Sequence, residues 1–78
     1  MSLRKPWKPL GRDTVRSVPD RYGIYELGDA DGNSLGVDAG VLRDDLKEAL
    51  AYGDAAKVRW RVASSREHAE SLLAEHRE

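Results

Sequence analysis

The sequence predicts a small α/β domain of the α+β kind: a three-stranded, mainly antiparallel sheet flanked by two main helices, in the order strand, strand, helix, strand, helix. Three observations predict it. Two short strand-like runs flank the turn sequence Asp31-Gly32 between residues 22 and 38. Residues 57–63 alternate apolar and basic side chains with the period of a half-buried strand. Residues 41–52 and 65–77 repeat apolar side chains at helical spacing. A chain of 78 residues has room for one core only. The absence of cysteine excludes a disulfide scaffold and a Cys-type zinc module. No run of 18 apolar residues and no charged-then-apolar leader pattern is present, so a cytoplasmic chain without a membrane span is expected.

The elements follow in order. Residues 1–17 form a basic arm, expected to be extended because Pro6 and Pro9 bias their predecessors away from helix. Trp7 and Leu10 are its expected anchors, and Asp13 is placed to cap a helical turn that ends before Pro19. The remaining 18–78 make the domain proper. Tyr22 to Leu27 is aromatic, β-branched and short, hence a strand. Asp29 to Asn33 turns the chain, because glycine tolerates positive φ. Residues 34–38 return antiparallel, with Leu35 and Val37 expected on one face. Leu42, Leu46, Ala49 and Leu50 mark the buried stripe of the first main helix, and Gly53 stops it. Val58, Trp60 and Val62 face the core from the third strand, opposite Lys57, Arg59 and Arg61. Ser64 and Glu67 have the spacing of a capping box for the last helix, whose buried stripe is Ala69, Leu72, Leu73 and His76.

The net charge of −1 conceals an uneven distribution. Residues 1–21 carry six basic against two acidic groups, a net of +4; residues 22–56 carry two against eight, a net of −6; residues 57–78 carry five against four. A basic arm ahead of an acidic middle suits a polyanion, or an arm lying on the acidic part of its own domain.

Gly23-Ile24-Tyr25 in a first strand, an Asp-Gly hairpin, a helix with Leu42-Arg43, a strand, and Ala69-Glu70-x-Leu72-Leu73-x-Glu75 follow one another over about residues 18–77. This succession resembles the GIY-YIG nuclease domain. The chain also looks like a group of small haloarchaeal proteins, a likeness that implies no function. The nuclease resemblance implies metal-assisted phosphodiester cleavage, in which magnesium keeps most of its waters and is held by few carboxylates. A glutamate on the last helix would be the metal ligand, a tyrosine of the second strand the base or proton relay, and an arginine of the first long helix the phosphate clamp. Glu75 matches the glutamate and Tyr25 the tyrosine of the first motif. The second motif reads Gly36-Val37-Asp38, without its tyrosine, and the arginine position holds Asp45. Arg43 lies two residues earlier, about 200° round the helix, and cannot replace it. Tyr25, Gly36, Asp45 and Glu75 are therefore expected to be relic positions of a non-catalytic binding or interaction domain without a cofactor. One alternative is a nucleic-acid-binding module using the arm and the third strand, with Tyr25, Lys57, Arg59 and Arg61 as its surface. A second is a divergent magnesium-dependent nuclease retaining Glu75.

Other features carry less. Asp29, Asp31 and Asn33 lack the glycine and glutamate spacing of a calcium loop. His68 and His76 lie about 12 Å apart along one helix and cannot share a metal. A tryptophan-bearing arm offers a homodimer by exchange between subunits.

Overall fold

The computed structural model describes residue 3 and residues 5–76. Four strands and three helices follow in the order β1 (Lys8–Pro9), α1 (Arg12–Ser17), β2 (Tyr22–Gly28), β3 (Ser34–Val41), α2 (Leu42–Tyr52), β4 (Lys57–Val62) and α3 (Arg66–His76). The expected succession from residue 22 onward holds. The sheet has four strands where three were expected, in the order β1-β4-β2-β3, and every pairing is antiparallel.

Central position explains the composition of β2, which is covered on both faces. Ile24 packs with Ala63, Ala69 and Leu72 beneath α3, whereas Tyr25 and Leu27 pack with Leu42, Leu46 and Val58 beneath α1 and α2. Two cores therefore sit back to back across one sheet, where the chain length led to the expectation of one. Alternate residues of a strand point to opposite faces, so each odd or even set has its own helix layer. Among the described residues no helix is long and apolar enough to cross a membrane.

The basic arm is not a separate extended segment. Leu3 is buried in the core under α3, and its N–H donates to the Glu26 carboxylate at 3.2 Å. Residues 8–9 pair with the β4 edge, and Leu10 packs in the core on the other face. The segment thus straps round the sheet edge from one layer to the other before α1 begins. Arg4, also counted in the arm, lies outside the described residues, as does the end of the helix expected to reach residue 77.

The hairpin turn forms as expected. The Asp29 carboxylate accepts from the N–H groups of Asp31 and Asn33, both at 2.9 Å, and Gly32 adopts φ 86°. Those bonds hold the Asp29 carboxyl below its usual range despite the opposing effect of desolvation. The returning strand is longer than expected, reaching Val41, and it carries an irregularity. Leu27 opposes Gly36 while Gly28 opposes Ser34, so Leu35 bulges out of register and is 55% exposed. Leu35 and Val37 consequently do not share a packed face.

The cap of α3 is shifted one residue from the expected box. Ser65, not Ser64, receives the His68 N–H on its hydroxyl at 3.1 Å, and His68 Nδ1 accepts from the Ser64 N–H at 2.9 Å. Histidine here takes the reciprocal role that glutamate takes in a capping box.

Candidate functional site

Tyr25 projects from β2 toward α2. Its hydroxyl donates to Asp45 Oδ2 at 3.1 Å. Two glycines make this approach feasible. Gly23 and Gly40 oppose each other on the same sheet face, and a Cβ on Gly40 would collide with the Asp45 carboxylate. Burial raises the Tyr25 hydroxyl far above its ordinary value of 10.0, and the Asp45 charge and hydrogen bond raise it further; Asp38 and Glu48 add smaller repulsions. A phenolate there would stand beside three carboxylates, so the phenol keeps its proton.

The expected relic positions are only partly together. Tyr25 and Asp45 are in contact. Gly36, where the resemblance implies a tyrosine, has φ 137°, a conformation that strains any side-chain-bearing residue. The backbone at this position is therefore unsuited to a tyrosine. Glu75 is exposed on α3, the helix that covers the opposite sheet face from α2. A shallow cavity of about 300 Å³ at the β3 end brings Asp45 toward α3, but the helix lines it with Arg66, Ala69 and Glu70, not with Glu75. Among the described residues no group of three or more histidine and carboxylate side chains is arranged to hold a metal ion.

The third-strand surface is also divided. Trp60 directly opposes Tyr25, and Arg61 opposes Ile24, so the basic residues of β4 lie on the other face of the sheet from Tyr25. Tyr25, Lys57, Arg59 and Arg61 do not form one surface. Arg59 is moreover an internal tie and only 14% exposed. Its Nε donates to Glu26 Oε1 at 2.6 Å, its terminal nitrogen donates to the Lys5 carbonyl at 3.1 Å, and its guanidinium lies 3.9 Å from the centre of the Trp7 ring. Period-two alternation in β4 was legible in the sequence. That the strap would cover Arg59 was not, because the covering residues are more than fifty positions away.

Sequence reasoning missed a different basic surface. Helices α1 and α2 bound a groove of about 830 Å³ carrying Arg12, Arg16, Arg43 and Lys47. Val15, Leu50 and Ala51 supply its apolar part. The signal was present as two cation pairs at i, i+4 spacing, Arg12/Arg16 and Arg43/Lys47. It went unread because the two pairs are 27 residues apart and only packing of α1 on α2 joins them.

A family model described as a domain of unknown function, DUF7508, matches residues 1–78. The chain belongs to that family. No curated protein and no solved structure matches the chain. The family description assigns no chemistry.

Ionisation of Tyr25 is a direct readout of the first. In a Tyr22→Phe/Tyr52→Phe background, the phenolate absorbance of Tyr25 is expected to rise well above the ordinary tyrosine range near pH 10. Asp45→Asn is expected to bring it to lower pH by removing the nearest charge. The neutral phenol is favoured in the folded state, so its contribution to stability is complete below about pH 10 and is lost as pH rises toward the folded value. Thermal melts at alkaline pH should therefore show a stability loss that Tyr25→Phe removes.

Proposed function

We propose that this chain is a non-catalytic interaction domain of GIY-YIG-like architecture. The strand, strand, helix, strand, helix succession from residue 22 onward supports the likeness. The single observation that carries the non-catalytic reading is the Tyr25–Asp45 contact. In the position where the resemblance implies a phosphate-binding arginine, this chain has a carboxylate that holds the tyrosine's proton and adds to the negative potential set by Asp38 and Glu48. A phosphodiester approaching that face meets repulsion where transition-state stabilisation needs positive charge.

A cytoplasmic setting belongs to the same reading. The chain has no cysteine and so needs no oxidising compartment to fold. The likeness to small haloarchaeal proteins is compatible with it and adds no ligand.

The test is nicking of supercoiled plasmid by purified protein with magnesium or manganese. The expected result is no cleavage above buffer, with Glu75→Ala indistinguishable from the parent. Metal-dependent cleavage that Glu75→Ala abolishes would overturn the reading in favour of a divergent hydrolase.

A further inference from the structure

The groove between α1 and α2 gathers four cationic side chains, Arg12, Arg16, Arg43 and Lys47, on one concave surface. Arg12 and Arg16 stand one turn apart on α1, and Arg43 and Lys47 one turn apart on α2. Each pair spans about 6 Å along its helix. The chain carries fourteen acidic residues. Yet the ion pairs among the described residues are Arg59–Glu26 and Arg66–Glu70, and neither uses a groove cation. Four like charges on one concavity repel one another in the free protein, which a bound anion would relieve.

One of the four is held in place. Arg43 donates from Nε to the Val18 carbonyl at 3.1 Å, just beyond the end of α1. That bond fixes the guanidinium across the helix junction and leaves its four other N–H donors available. Preorganisation of this kind lowers the entropic cost of binding a carboxylate.

The groove also has apolar lining. Arg43, Lys47, Leu50 and Ala51 fall on one stripe of α2, and Val15 lies between the two arginines of α1. Leu50, expected on the buried stripe of α2, is instead among the exposed large hydrophobic residues. A polynucleotide would place phosphates along the cations but would find no aromatic ring among the lining residues on which to stack a base. A groove that combines cation pairs on two helices with exposed apolar side chains instead complements an amphipathic helix carrying acidic side chains four residues apart beside an apolar stripe.

We infer that the α1–α2 groove is the docking site for an acidic amphipathic helical segment of a partner protein. The inference rests on the interaction-domain reading and gives it a partner class. Carboxylates at i, i+4 would pair with Arg12/Arg16 on one side and Arg43/Lys47 on the other. A leucine-like residue of the segment would cover the exposed Leu50 and Ala51. The mixed chemistry makes binding weaken with salt without vanishing, since the apolar contact is unscreened.

The probe is a helix-stabilised synthetic peptide of about 14 residues, roughly 21 Å long, with glutamate pairs four apart flanking a leucine stripe. Isotope-labelled full-length protein is titrated with it and amide shifts are followed. Saturable binding is expected, with shifts concentrated at residues 12–16 and 43–51. The Arg16→Glu/Lys47→Glu variant is expected to weaken binding at least about tenfold. Leu50→Glu is expected to do the same, whereas Arg66→Glu, a charge reversal outside the groove, should change it less than about twofold. Unchanged circular dichroism and melting of the variants keep the comparison free of unfolding. Absence of saturable binding to the parent, shifts centred elsewhere, or insensitivity to the groove substitutions would each overturn the inference. So would a single-stranded oligonucleotide of equal charge binding the groove about tenfold more tightly than the peptide. The plasmid-nicking assay on the same preparation judges the non-catalytic reading separately: cleavage sinks that reading, whereas a non-binding peptide with no cleavage sinks only the docking site.

Discussion

Replacing Glu26 by alanine is expected to cost about 3–5 kcal/mol, because it leaves the Arg59 guanidinium enclosed without its counter-charge. A domain of this length has roughly 4–12 kcal/mol in total, so the variant should be largely unfolded at modest urea concentrations. Glu26 is 1% exposed. Burial raises its carboxyl, but hydrogen bonds from the Ser34 hydroxyl, Arg59 and the Leu3 N–H, with the Arg59 charge, outweigh that and hold it below its ordinary value of 4.5. One carboxylate thus joins β2, β4 and the strap. Glu26→Leu combined with Arg59→Met should recover most of the loss, since a well-packed apolar pair can replace a buried ion pair without penalty. Urea midpoints of the parent, the single and the double variant check this; a single variant within about 0.5 kcal/mol of the parent would show that the tie is not structural. The same pair sets an acid limit. Glu26 is depressed in the folded state, so its stabilising contribution is present above about pH 4.5 and is lost as pH falls through the lower folded value.

Gly23→Ala is expected to destabilise the domain by about 3 kcal/mol, at the upper end of what overpacking costs. A Cβ at this position would collide with the Arg61 carbonyl oxygen of the neighbouring strand and lie 2.8 Å from Leu42 Cδ1. Relief requires β4 to move away from the central strand, at the expense of ladder hydrogen bonds. Its cross-strand partner Gly40 provides the control. There the obstacle is the Asp45 carboxylate, a side chain able to rotate. Gly40→Ala should therefore change stability by less than about 1 kcal/mol, while displacing Asp45 and shifting Tyr25 ionisation to lower pH. Equal losses at the two glycines, read from urea melts, would contradict this account of the α2–sheet packing.

These two positions illustrate how far the sequence could be read. Gly23 is marked in the sequence by its place beside Ile24 and Tyr25; its tight packing against Leu42 and the β4 backbone depends on which strand neighbours β2. Nothing local marks Glu26, because an acidic residue in a strand ordinarily lies on the solvated face. It sits instead where the strap closes over the sheet. Tyr25 and Asp45 stand out in the sequence as two positions of interest. Their hydrogen bond does not, since it depends on the two opposed glycines that let α2 settle close to the sheet.

What the sequence by itself determined is the set of local elements. Turn chemistry at Asp29–Gly32, period-two alternation at 57–62 and the leucine stripes of both main helices are properties of neighbouring residues, and each element formed near its expected bounds. Only the tertiary structure decided which charges are surface and which are ties. Arg59 and Arg61 look alike in the sequence, two positions apart on one strand face. One is enclosed by Glu26, Trp7 and the strap, and the other is exposed. The basic arm, likewise, became a two-residue edge strand and a short helix, and its Arg12 and Arg16 joined Arg43 and Lys47 in one groove. Burial and charge pairing are relations between residues distant along the chain, set by packing, and local pattern carries no record of them.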